Sequence, residues 1–216
     1  DTVPEMVQAR ALGCERMSRA QLLATLFNAA PRGIAVGGTS GKSTVTGMIG
    51  WILTACGRDP TIMNGAVMKN FVAPNAPFAS ARVGQHDRQG GIFASEVDES
   101  DGSIALYRPE VAILGNVTLD HKSLEELRSL FGNFLAASKV AVVNLDDPES
   151  AALTTHANTL LSFGIESTEA IISVELGSVI QWADAIEARV MDRRTIGSHH
   201  LVLNQPGRHN LYNALA

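Results

Sequence analysis

The chain has little cysteine: Cys14 and Cys56 are the only two in 216 residues. They stand far apart, which excludes a disulfide framework and a cysteine-rich metal site and reads as reduced thiols in a cytoplasmic protein. No basic run is present, and 17 Lys and Arg against 22 Asp and Glu leave a formal charge of −5. Nucleic acid is therefore not expected as a partner. No apolar run approaches membrane-spanning length and no signal-peptide pattern opens the sequence, so no membrane partner is expected either. Internal repeats and low-complexity tracts are absent. What remains, at 45% hydrophobic content, suffices for one sizeable core with an appendage. The chain starts at Asp1 and stops at Ala216 within a helical pattern that has no capping residue. The expectation is a piece of a longer protein.

The most informative stretch is Gly37-Gly38-Thr39-Ser40-Gly41-Lys42-Ser43-Thr44. A short apolar strand, Ile34 to Val36, precedes it, and a helical pattern from Val45 to Cys56 follows. Strand, glycine-rich turn, Lys-Ser and helix form the layout of a phosphate-binding loop. Glycines let the backbone curl so that successive N–H groups face an anion, and the helix adds its positive dipole end. Lys42 brings a full charge toward the outer phosphates, and the Ser43 hydroxyl suits Mg²⁺. The spacing departs from the usual one: the residue four intervening positions before Gly41 is Val36, so the loop is one shorter if Gly37 opens it. A glycine-rich turn with a surface lysine is the plainer alternative.

The rest of the chain alternates short apolar strands with amphipathic helices. Helices are predicted over residues 3–12, from the capping-box pair Ser18 and Gln21 through Phe27, from a second such pair at Ser123 and Glu126, and from Asp147-Pro148 to about His156. Strands are predicted at 61–63, 91–95, 111–114, 140–143 and 160–163. Residues 72–91 read as a loop-rich connection. Together these predict an α/β fold, a doubly wound and mostly parallel sheet. In the last third, 171–180, 188–191 and 200–203 predict a small antiparallel subsheet before a final helix beyond Pro206-Gly207. Ligands of such sheets sit beyond the carboxyl ends of the strands. The loop at 37–44, Glu96 and the region after Asn116 all fall there.

Glu96, Asp98, Glu99 and Asp101 place four carboxylates in six residues. The strand before Glu96 singles it out as a Mg²⁺ ligand, and the other three read as loop and capping residues. His121, after Asp120, fits a metal ligand, a proton acceptor or a helix cap. Asn210 and Asn213 share a helix face; they are either a pair of amides for an adenine edge or two surface asparagines. Asp146-Asp147-Pro148 reads as a helix start. No covalent nucleophile stands out.

Taken in order, Gly38 to Thr44, Glu96 to Asp101, Asn116 to His121, and Gly207 to Asn210 with Asn213 resemble the Mur ligase family, over nearly the whole chain. The alanine-adding branch is the nearest and the murein-peptide recycling branch comes second. The resemblance implies ATP and Mg²⁺ as cofactors. Gly38, Thr39, Ser40, Gly41, Lys42, Ser43 and Thr44 would hold the phosphates, and His209, Asn210 and Asn213 the nucleoside side. Ser43, Glu96 and His121 would position the metal, with Lys42, Glu96 and His121 as the catalytic set. It implies a UDP-N-acetylmuramate-type sugar nucleotide and an amino acid, L-alanine, or a peptide amine as partners, joined through an acyl phosphate. It also implies residues 1–30 as the tail of a UDP-sugar domain, 31–216 as the central ATP-binding domain, and a missing carboxyl-terminal domain. Two departures touch the site: Ser40 stands where the near branches carry histidine, and Lys122 follows the Asp-His pair. No lysine lies between Ser123 and Ser138, which fits the alanine-adding branch. A noncatalytic nucleotide-binding module and a kinase or simple NTPase are the competing classes.

Overall fold

The computed structural model describes residues 2–85, 91–119, 122–195 and 197–216. His121 and Asp120 lie outside the described residues. The strands are β1 (Arg32–Gly37), β2 (Thr61–Met63), β3 (Ala81–Arg82), β4 (Ile92–Glu96), β5 (Val111–Leu114), β6 (Val140–Asn144), β7 (Leu160–Gly164), β8 (Ile172–Val174), β9 (Ile180–Gln181), β10 (Ile186–Asp192) and β11 (Gly197–Leu203). The helices are α1 (Pro4–Ala11), α2 (Arg19–Asn28), α3 (Lys42–Ala55), α4 (Leu124–Ala136), α5 (Pro148–Ala152) and α6 (Arg208–Leu215).

One sheet runs in the order β11-β10-β8-β7-β6-β5-β1-β4-β2-β3, with β9 on β10. From β8 to β2 every pairing is parallel. The buried strands here are near-continuous apolar runs, as a sheet covered on both faces requires. Their side chains alternate between two clusters. Ala35, Ala112 and Leu114 join the core under α2 and α4, with Phe131, Phe134 and Leu135. Val36 and Ile113 face the other way, against Val45 of α3 and Ala216 beyond α6. Helices on both faces make the sheet doubly wound, as predicted. β1 sits between β4 and β5, where the strand order changes direction, and a crevice opens at their carboxyl ends.

Local chemistry sets the helix ends. Ser18 Oγ accepts from Gln21 N while Gln21 Oε1 accepts from Ser18 N, and Ser123 and Glu126 repeat the box on α4. α3 starts at Lys42, three residues before the predicted start, because Gly41 takes a left-handed φ of 85° as its N-cap.

The antiparallel strands expected in the last third are present, with β10 antiparallel to β8, β9 and β11, and β8 joins them to the main sheet by pairing parallel with β7. One expectation needs correction. The single strand expected over 171–180 is broken into β8 and β9 by a turn, in which Ser178 N donates to Glu175 O and Gly177 has a φ of +75°. The loop-rich segment also contributes a strand that was not foreseen, β3, antiparallel to β2. Among the described residues no helix is long and apolar enough to cross a membrane.

The helix α1 buries no residue, whereas α2 belongs to the main core. Its Phe27 is 1% exposed and meets the Phe93 and Tyr107 rings at centroid distances of 5.5 and 5.0 Å. Gly33 admits it, since a Cβ there would lie 2.6 Å from the Phe27 ring. Truncating a fully buried phenylalanine costs about 3–5 kcal/mol, so Phe27→Ala should lower the urea-unfolding free energy by that amount. A loss under about 1 kcal/mol, small for any core truncation, would show that α2 is not part of the cooperative unit.

Candidate active site

The phosphate-loop sequence leaves β1 at Gly37 and turns immediately. Gly38 and Gly41 have φ of 126° and 85°, values that a β-carbon disfavours. At Gly41 the space is also closed, because a Cβ would sit 2.6 Å from Asn213 Oδ1. Asn116, beyond β5, clamps the loop from the side: its Oδ1 accepts from Ser40 N and its Nδ2 donates to Ser40 O, both at 2.9 Å. Asn116 O also accepts from Thr39 N at 3.0 Å. Two amides expected to face an anion are thus engaged by protein. Further anion donors are those of the first turn of α3, whose N–H groups have no intrahelical carbonyl. Thr39 turns its hydroxyl toward Thr118, accepting from Thr118 N at 2.9 Å.

The acidic segment meets the loop from the β4 side. Ser43 Oγ donates to Glu96 Oε2 at 2.6 Å. Gly65 allows this, because a Cβ there would overlap Glu96 Oε1. Lys42 Nζ donates to Gly38 O at 2.7 Å and to both oxygens of Glu99, at 2.9 and 3.2 Å. Asp98 and Asp101 act as turn residues, accepting from Ser100 N and Ser103 N. Burial alone would raise the Asp98 carboxyl, but the Ser100 hydroxyl and amide, together with the Lys42 charge, hold it below the ordinary carboxylate range.

A cavity of about 470 Å³ lies over the carboxyl ends of β1, β5, β6 and β7. Ser40, Gly41 and Lys42 line one side, and His209, Tyr212 and Asn213 of α6 the other. Asn210 does not line it; its Nδ2 turns back to Pro206 O at 2.8 Å. Thr44 faces a different groove, between α3 and residues 66–71. Among the described residues no three His, Cys, Asp or Glu converge as a protein-only metal cage.

The sequence pattern of the Mur ligase middle domain matches residues 36–216. The chain belongs to the Mur ligase family. It is 33% identical over 226 residues to the UDP-N-acetylmuramate–L-alanine ligase of Lawsonia intracellularis, covering 99% of this chain and 45% of that protein. The enzyme of the same name from a Synechococcus species is 35% identical over 219 residues, covering 100% of this chain and 40% of that protein. The chain therefore spans less than half the length of these relatives. Among solved structures, the UDP-N-acetylmuramate–alanine ligase of Thermotoga maritima superposes with a TM-score of 0.78 at 24% identity, over 98% of this chain and 46% of that one. A murein peptide ligase from Psychrobacter arcticus gives 0.80 at 23%, over 99% and 48%. These likenesses show the fold.

On this Mur ligase domain two side chains at the crevice escaped the sequence reading. The sequence marks Glu99 as a loop residue, yet it is buried and paired with the loop lysine. The sequence marks Asp146 as part of a helix start, a role that Asp147 fills by accepting from Ser150 N. Asp146 instead lines the cavity and gathers four donors: Ile165 N, Glu166 N, Ser167 N and the Tyr212 hydroxyl. Its place at the carboxyl end of β6 was the available signal.

Burial and the hydrogen bond to Asp146 push the Tyr212 phenol up to about 12, and burial raises Tyr107 as well. These are the only two tyrosines. With folded values above unfolded ones, the stabilisation is complete below pH about 10 and fades as pH rises toward 12. An ultraviolet titration should show both phenols ionising late in the native chain and near 10 in denaturant. Coincident native and denatured curves would contradict the partly buried Asp146–Tyr212 bond. Asn116→Ala should speed hydrogen exchange at the Ser40 amide by roughly tenfold or more, because a bonded amide becomes exposed; unchanged exchange would mean that the clamp is not formed.

Proposed function

We propose that residues 31–216 are the ATP-binding domain of an ATP-dependent, amide-forming ligase of peptidoglycan synthesis. On this reading residues 1–30 are the tail of a preceding UDP-sugar domain, and the site works in the cytoplasm on UDP-N-acetylmuramate and L-alanine. The observation that carries it is the position of Lys42, which borders both the cavity lined by Asn213 and the adjoining one lined by Glu96, the partner of Ser43. The homologues named for this reaction, and the share of their length that this chain spans, support the substrates and the domain assignment.

The donor set fits Mg²⁺. Ser43 Oγ and Glu96 are adjacent hard oxygens, and Mg²⁺ commonly takes one or two protein oxygens plus phosphate oxygens and water. Ser43 and Glu96 would hold it, with His121 proposed from sequence as a third contributor. Bound there, the ion would neutralise charge on the phosphates. Lys42 and the first-turn amides of α3 would fix the phosphate chain for in-line attack, and His209 and Asn213 would face the nucleoside. The muramyl carboxylate attacks the γ-phosphorus: a C–O–P bond forms, the bond to the β-phosphate oxygen breaks, and ADP leaves. The amine then attacks the acyl carbon, phosphate departs and the amine proton is lost. Positioning and charge stabilisation suffice, with no covalent nucleophile. Residues 1–216 alone should bind nucleotide but form no amide.

The intact protein, given ATP, Mg²⁺ and UDP-N-acetylmuramate, should release phosphate faster with L-alanine than with other amino acids or a murein tripeptide. Preference for the tripeptide would move it to the peptide-recycling branch, and amine-independent release would favour a simple NTPase. In the 216-residue chain, Ser43→Ala should abolish most of the gain in affinity that Mg²⁺ confers on a non-hydrolysable ATP analogue, with metal-free binding little changed. An undiminished Mg²⁺ effect would contradict the metal assignment.

A further inference from the structure

The contacts of Lys42 leave it no spare donor. An ammonium has three N–H groups, and here they meet three acceptors: Gly38 O at 2.7 Å and the Glu99 oxygens at 2.9 and 3.2 Å. A phosphate can be bound only if one of these is given up. The Gly38 carbonyl belongs to the loop itself and moves with it. Glu99 belongs to another segment. It carries the same sign of charge as a phosphate and competes for the same ammonium.

The turn that aims Glu99 is well braced. Val97 N extends the β1–β4 ladder by donating to Val36 O, Ile104 N donates to Asp98 O and Gly102 N donates to Glu99 O. Gly102 has a φ of 76°, which fixes the return of the chain. Glu99 is only 7% exposed, so water screens the pair weakly. Lys42 itself borders two spaces: the 470 Å³ cavity and a second of about 410 Å³, lined by Arg19, Asn64, Glu96 and Tyr107. Its flexible stem can swing the ammonium without moving the backbone.

We propose that Glu99 is a resident competitor for the nucleotide: it occupies Lys42 while the site is empty and is displaced from it by the phosphates. The inference rests on the nucleotide reading above. It makes Glu99 a positioning residue that tunes affinity for phosphate-bearing nucleotides against its own charge.

The test is calorimetric binding of a non-hydrolysable ATP analogue, ADP and adenosine to the 216-residue chain and to Glu99→Gln. Glutamine keeps the shape and removes the charge. Affinity for the analogue and for ADP should rise about tenfold, close to the low end of the range measured for close charge pairs, while adenosine, which has no phosphate, binds as before. Structural damage does not tighten binding, so the direction is diagnostic. Unchanged or weaker analogue binding by a variant with native melting overturns the proposal. Should Glu99→Gln fail to fold, Glu99→Asp, which withdraws the carboxylate by one methylene, must still bind the analogue more tightly than the unsubstituted chain, and equal or weaker binding overturns it. If the unsubstituted chain binds neither phosphate-bearing nucleotide, the nucleotide reading itself fails and this inference goes with it. Normal binding with an indifferent Glu99→Gln sinks this inference alone.

Discussion

The parallel register of β1 and β4, which sets Val36 opposite Glu96, governs the whole site. β1 ends one residue later and releases the glycine loop. β4 ends at Glu96 and releases the acidic turn. The two segments therefore start at the same height on the sheet, and Ser43 meets Glu96 while Lys42 meets Glu99. A slip of one residue would turn every β4 side chain to the opposite face, sending Glu96 away from the loop and Phe93 out of the core it shares with Phe27. Packing and chemistry thus specify one register together. The small residues Ala35, Ala94 and Ser95, each 0% exposed, let the central strands lie buried between two helical layers.

From that anchor the loop is held on three sides. Asn116 ties it to the end of β5, Asn64 Nδ2 donates to Ser43 O from the end of β2, and Asn213 of α6 packs against Gly41. Asp146 does the same for α6, binding Tyr212 and the turn after β7 through a single carboxylate. Preorganisation of this kind reduces the ordering cost of binding, which fits the nucleotide-binding role proposed above.

Much of this was legible in the sequence where the determining interactions are local. The two capping boxes each act over three residues, and both formed. The apolar runs at 111–114 and 140–143 became adjacent parallel strands because nothing but burial suits them. Glu96 could be singled out because it ends a strand. Which acid in the run meets Lys42 could not be read, because that depends on the turn closed at Gly102 and on the register of β4. Asp146 was misread for a similar reason: its partners come from the β7 turn and α6, up to 66 residues away. Asn210 and Asn213 have the same spacing argument in sequence, yet the Pro206 carbonyl captures one amide and leaves the other at the cavity. The break at Gly177 was equally hidden, since apolar residues flank it on both sides.

The most direct test of a nucleotide crevice built on the β1–β4 register is an amide chemical-shift map of the labelled 216-residue chain, titrated with a non-hydrolysable ATP analogue and Mg²⁺. The account predicts that the largest changes fall on the Gly38 to Thr44 loop, on Glu96, and on His209 and Asn213 of α6, since Lys42 borders both the cavity that α6 lines and the adjoining one that Glu96 lines. Changes centred elsewhere, for instance on the groove beside Trp51 and Phe71, or no saturable change at all, would contradict it.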